Sequence, residues 1–121
     1  EHLPAPDALR AYVRLFRATL DAERVCLGGM LASDALTLDA SMLPHLRGFF
    51  ELNLRWLSAV LARGQADGSL RPSTAAPQAQ ARLWLSSLQG ALLLARACGD
   101  ADHLAQTGQL LLSGVLPAAP L

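Results

Sequence analysis

"LWLSSLQGALLLARACGD", residues 83–100, reads as one helix whose apolar side chains run nearly all the way round. A helix buried on one side shows a stripe, whereas one that is hydrophobic around its girth has to be covered on every side. At about 100° per residue, Trp84, Leu88, Ala91 and Ala95 fall on one face, and Leu85, Leu92 and Leu93 largely on another. One face can pack into the chain's own core, and the other asks for a second cover. A bilayer is not that cover: the uncharged run from Leu83 to Ala95 contains Ser86, Ser87 and Gln89 and falls short of the ~20 residues a membrane-spanning helix needs.

Helix signals extend outward from this stretch in both directions. Upstream, "TAAP" at 74–77 offers Thr74 as an N-cap and Pro77 in the first turn, and downstream Gly99 is placed to take the left-handed conformation that closes the helix. Asp100 or Asp102 then caps a last helix with Leu104, Leu111, Leu112 and Val115 on a broad apolar face, Gly108 among them, ending before Pro117. The same logic upstream gives a helix from "SMLP" (41–44), with Ser41 as N-cap, to about Asp67, closed by Gly68 in "GQADGSLRP". Its Arg47, Glu51 and Arg55 form an i, i+4 ladder that reads as a solvated face. Residues 24–36, "RVCLGGMLASDAL", form an apolar helix loosened by Gly28 and Gly29. A first helix begins at Pro6 and Asp7, with Leu9, Val13, Phe16 and Leu20 at helical spacing and Arg10, Arg14 and Arg17 opposite.

The totals agree with this reading. The chain has 121 residues, 52% of them hydrophobic and 17% charged, the balance of one globular domain with a real core. Leu and Ala dominate and strand formers are scarce, so the expected fold class is all-α: a single helical domain of about five helices. Net charge is zero, and all ten basic residues are Arg, dispersed from Arg10 to Arg96. Nucleic-acid binding leans on a concentrated cationic face, so this chain alone is a poor candidate for it. Cys26 and Cys98 form no C-x-x-C and have no His at metal-ligand spacing, which points to neither a disulfide framework nor a zinc site, and a reduced, cytoplasmic setting is expected. Catalysis is not expected either: the three glutamates, at 1, 23 and 51, form no Glu-x-x-His pair, no nucleophile motif joins Ser, His and Asp, and no cofactor is implied.

The surplus apolar surface of the last two helices predicts a homodimer. Two helices from each copy would make an intermolecular four-helix bundle, with Leu85, Leu92, Leu93, Leu104, Leu111, Leu112 and Val115 in the seam and Ala91, Ala95 and Gly108 permitting close approach. Burial of about 1,600 Å² or more in total would suit a stable pair.

"CLGGMLASDAL", "ARGQADGSLRP" and "ARLWLSSLQGALLLAR" followed by "GDADHL" stand in an order and spacing that resemble the C-terminal regulatory half of TetR-family transcriptional repressors, over roughly residues 24–116. The resemblance implies an effector-binding and dimerisation domain that pairs through its last two helices and holds a small-molecule inducer among the preceding ones. It also implies that operator DNA is read only by an N-terminal helix-turn-helix domain that this chain, which starts at Glu1, does not contain. By the same analogy the inducer lies where the sequence offers Cys26, Met30, Phe49, Asn53, Trp56, Trp84 and Leu88, a lining suited to a mostly apolar or aromatic compound. Each has a plainer reading: Met30, Phe49 and Leu88 as ordinary core, the two tryptophans as core with an N–H to satisfy, and His45 as a surface residue. Asn53, if turned inward, needs partners that a ligand could supply. Cys26 is either a small buried hydrophobe or, as in some members of the family, a sensor of oxidants or electrophiles. A helical dimeric interaction module with no ligand is the alternative to the repressor reading.

Overall fold

The structure, a computed structural model, describes residues 3–21 and 40–117. Those residues form four α-helices: α1 (Ala5–Asp21), α2 (Leu43–Asp67), α3 (Pro77–Cys98) and α4 (Asp102–Val115), with a single 3-10 turn, Ala40–Met42, leading into α2. The all-α class expected from composition is borne out. The helix expected over 24–36 lies outside the described residues, and Cys26 and Met30 with it.

Helix ends follow the sequence signals at the C-termini more closely than at the N-termini. Gly68 and Gly99 adopt φ of 79° and 63°, the left-handed region where a side chain would be strained, and they close α2 and α3. Ser41 is not the N-cap of α2, since Met42 holds that position in helical conformation with no side-chain cap. Nor does Thr74 cap α3: Ala76 precedes Pro77 in extended conformation, as the residue before a proline is sterically driven to be. In both helices a proline within the first two positions sets the start, because its missing N–H is one the first turn would leave unpaired anyway. Neither aspartate is the N-cap of α4: Ala101 holds that position with no side-chain cap, Asp102 is already the first residue of the helix, and Asp100 Oδ1 accepts the Asp102 backbone N–H at 2.9 Å.

The core joins all four helices. Leu9 and Phe16 from α1, Leu57, Val60 and Leu61 from α2, Trp84, Leu88 and Leu92 from α3 and Leu104 from α4 are buried together. The most extensive packing is between α2 and α3 and within the α3–α4 hairpin, with α1 laid against the other three helices. Each large apolar side chain taken from water here contributes about 1.5–3 kcal/mol. Two glycines set the closest approaches. A Cβ on Gly64 would run into the side chain of Leu70 and stand 2.7 Å from the Cβ of Ala5, and one on Gly108 would stand 2.6 Å from Cγ1 of Val13. Arg71, between α2 and α3, closes the far end of the hairpin: its backbone N–H donates to Val115 O at 2.8 Å and its Nε to Leu116 O at 3.1 Å. The end of α4 is thus tied to the connection preceding α3.

Two expectations about the seam are corrected here. Leu85 and Leu92 are enclosed by their own chain and Leu93 is half-buried, so these three do not make up the face that lacks cover. Ala91, Ala95 and Leu104 are buried in the same core. Gly108 admits α1 of the same chain, through Val13, rather than a second copy.

Candidate functional site

α1 and α2 run antiparallel, with Ala5 beside Gly64 at one end and Tyr12 beside Asn53 further along. Between them opens a cleft of about 810 Å³. On the α1 side it is lined by Leu3, Ala8, Ala11, Tyr12 and Leu15, and on the α2 side by Leu52, Asn53, Trp56, Ala59, Val60 and Arg63. Both sets follow from helical spacing: 8, 11, 12, 15 and 52, 53, 56, 59, 60, 63 are the stripes that two facing helices present to each other. The short side chains of Ala8, Ala11 and Ala59 keep the facing walls from closing. A concave, largely apolar surface with a few placed polar groups is the usual form of a small-molecule site.

Tyr12 organises one end. Its hydroxyl donates to Asn53 Oδ1 at 2.9 Å, and Asn53 Nδ2 donates to the Phe49 carbonyl at 2.9 Å. The Tyr12 ring stacks on Trp56, with centroids 5.4 Å apart and planes 26° apart, and meets Phe16 edge-on at 5.3 Å. At the other end Arg63 Nη2 donates to the carbonyl of Leu3 at 2.8 Å. One turn further, Asp67 accepts both the hydroxyl (2.6 Å) and the backbone N–H (2.9 Å) of Ser69. The Ser69 hydroxyl chiefly, its backbone N–H next, and Arg63 to a lesser degree hold the Asp67 carboxyl below its ordinary value against a slight opposing effect of burial.

Of the residues singled out for a ligand, the structure brings Asn53 and Trp56 to the cleft and takes Trp84 and Leu88 into the core. The two indoles therefore part company: Trp84 is 2% exposed and Trp56 43%. Phe49 is exposed on the surface of α2, edge-on to Phe50, and His45 is exposed as expected. Asn53 finds its partners within the chain, in Tyr12 and Phe49. Sequence reasoning missed Tyr12, Ala59 and Arg63. The available signal was spacing, since Arg63 lies seven residues, two helical turns, beyond Trp56.

A second surface lies on the outward sides of α3 and α4. Along α3, Leu83, Ser86, Gly90, Leu94 and Ala97 fall within about 80° of arc, with Leu83 60% and Leu94 51% exposed. On α4, Gln106, Leu110, Ser113 and Gly114 face outward, Leu110 being 73% exposed. The only Arg, Asp or Glu residues in these two helices are Arg82, Arg96 and Asp102, and none lies within that arc of α3. Leu111, Leu112 and Val115 are half-buried against the core. The Arg47, Glu51, Arg55 ladder on α2 is exposed and forms no ion pair among the described residues, whose ion pairs are Arg10–Asp7 and Arg17–Asp21, both on α1.

The described chain is thus an all-α domain with an open cleft between α1 and α2 and an outward stripe free of charged residues along α3. A TetR-family transcriptional regulator from Agrobacterium tumefaciens is similar over 97% of this chain and 62% of its own, with a TM-score of 0.89 and 28% identity. A regulatory protein TetR from Rhodobacter sphaeroides is similar over 94% and 61% (TM-score 0.84, 23% identity), and a TetR transcriptional regulator from Legionella pneumophila over 93% and 59% (0.80, 27%). The chain has the fold of the TetR family, and the resemblance carried by its sequence motifs is borne out. It spans about three fifths of the length of these structures. No family model and no curated protein matches the sequence. Among the described residues no helix is long and apolar enough to cross a membrane.

Proposed function

We propose that this chain is the effector-binding and dimerisation domain of a TetR-like transcriptional repressor. A small, mostly apolar or aromatic inducer occupies the α1–α2 cleft, and two copies pair through the outward faces of α3 and α4. DNA-reading parts of the full-length protein, outside this chain, contact the operator. Inducer binding favours one arrangement of the helices over another, and the difference in its affinity for the two arrangements changes the separation of the DNA-reading parts.

The observation that carries the reading is the pairing, within a TetR-like fold, of an apolar cleft between α1 and α2 with an outward face on α3 free of charged residues. The outward stripe of Leu83, Gly90 and Leu94, with Leu110 on α4, replaces the enclosed leucines as the proposed seam. Ridges of leucine beside small residues suit close helix packing across a dyad.

Sedimentation of the chain at micromolar concentration, combined with a thermal-shift screen of apolar aromatic compounds, tests both halves. A dimer stabilised by several such compounds is expected. A monomer that no compound stabilises would overturn the proposal, and a dimer that none stabilises would favour an interaction module without a ligand.

A further inference from the structure

Among the described residues, Arg63 is the only charged one lining the cleft. Its guanidinium carries five N–H donors in a rigid fork, of which one is committed among the described residues, to the Leu3 carbonyl. The nearest acid along its own helix face, Asp67, has its carboxylate engaged by the Ser69 hydroxyl and backbone N–H. Among the described residues no carboxylate stands within ion-pair distance of Arg63. A half-buried guanidinium at the end of an apolar trough, influencing Asp67 through space but in ion-pair contact with no carboxylate among the described residues, has donors with which to hold an anion.

The rest of the trough fixes what the anion is attached to. Trp56 and Arg63 lie on the same side of α2, two turns or about 10.5 Å apart, with Ala59 and Val60 between them and Ala8 across from them on α1. At the opposite end the polar atoms of Asn53 are already taken, by Tyr12 and by the Phe49 carbonyl. That end offers the indole face of Trp56 and apolar walls.

We infer that the cleft takes an amphipathic monoanion, an aryl- or alkyl-carboxylate whose apolar body lies along Trp56, Ala59 and Val60 and whose carboxylate is gripped by Arg63. The inference rests on the cleft's being the ligand site. A body of about 10 Å suits a phenyl ring on a short alkyl chain, and the carboxylate meets the guanidinium in the two-bond geometry that both groups favour.

The test titrates the native chain with 4-phenylbutyrate, its neutral amide and 4-phenylbutylamine by calorimetry, and repeats the series with Arg63→Gln, Arg63→Lys and the cleft-filling Ala59→Phe. The acid is expected to bind about tenfold or more tighter than the amide, consistent with a charge-assisted pair. The amine should bind weakest. Arg63→Gln should erase the preference while leaving amide binding in place, Arg63→Lys should keep part of it, and Ala59→Phe should weaken all three compounds. Equal binding of acid and amide, or tighter binding of the amine, would overturn the anion inference and leave the ligand site standing. No binding of any of the three to the native chain at millimolar concentration would remove both. Acid binding untouched by Ala59→Phe would place it elsewhere and overturn the inference.

Discussion

Gly108 and Val13 meet where the last helix crosses the first, and a Cβ at 108 would stand 2.6 Å from Cγ1 of Val13. Val13 is β-branched, with little rotamer freedom in a helix, so it cannot swing aside as a longer side chain would. Gly108→Ala is expected to destabilise the protomer by about 1–3 kcal/mol, the range for overpacking, measured by urea unfolding. In a Val13→Ala background the same substitution should cost much less. Losses that simply add would mean the two residues do not touch.

Leu92 and Leu94 stand two residues apart on α3 and are expected to fail in different ways. Leu92 is buried in the core, so Leu92→Ala should cost about 2–5 kcal/mol of stability and leave the monomer–dimer equilibrium of the folded chain nearly unchanged. Leu94 faces outward at the centre of the uncharged stripe. Leu94→Glu should leave helix content intact and weaken dimerisation by about a hundredfold, since it places two like charges in one apolar seam. Sedimentation equilibrium reads both. A Leu94→Glu chain that pairs as tightly as the native one would overturn the proposed seam.

Much of the fold was legible because helix ends are written in local chemistry. Gly68 and Gly99 had to follow helices that stop, and Pro44 and Pro77 had to sit at helix starts. Capping by Ser41 and Thr74 was misread because the prolines, not the hydroxyls, determine where those helices begin. The site was less legible. A periodic stripe tells which residues share a face, not which neighbour that face meets, and so Leu85 and Leu92 could be assigned to a partner copy when their own chain encloses them. Tyr12 was overlooked because the stripe Leu9, Val13, Phe16, Leu20 captures only part of the buried arc of α1, which widens through Ala5, Ala8 and Tyr12 toward α2. Arg63 was hidden in a stretch that reads as the approach to a turn, although its two-turn spacing from Trp56 was there to see.

The two tryptophans should separate spectroscopically and energetically. Trp84 belongs to the four-helix core and Trp56 to the cleft wall, stacked on Tyr12. In a Trp56→Phe chain the remaining emission should be blue-shifted and shielded from acrylamide, and in a Trp84→Phe chain red-shifted and readily quenched. Trp84→Ala should cost about 3–5 kcal/mol, whereas Trp56→Ala should cost far less and act instead on binding in the cleft. Equal quenching of the two single-tryptophan chains would contradict the division of α2 and α3 into wall and core.

The turn that closes α2 carries a pH signature of its own. Asp67 accepts two hydrogen bonds from Ser69, and these hold its carboxyl below the ordinary value of 3.8. A carboxyl whose folded pKa is depressed stabilises the folded state while ionised, so its contribution is present above the unfolded value and is lost as pH falls through the folded one. Asp67→Ala removes that contribution, while the chain's other carboxyls are common to both proteins and cancel in the difference. The stability gap between native chain and variant should therefore stay level from neutral pH down to about pH 5, narrow below 3.8, and close once the carboxyl is protonated in both states. Ser69→Ala should show a gap in the same window, because it removes the hydroxyl donor that contributes most. Urea unfolding of the three proteins from pH 7 to pH 2.5 measures it, and a gap that widens toward acid would mean that the Asp67 carboxyl is raised rather than lowered.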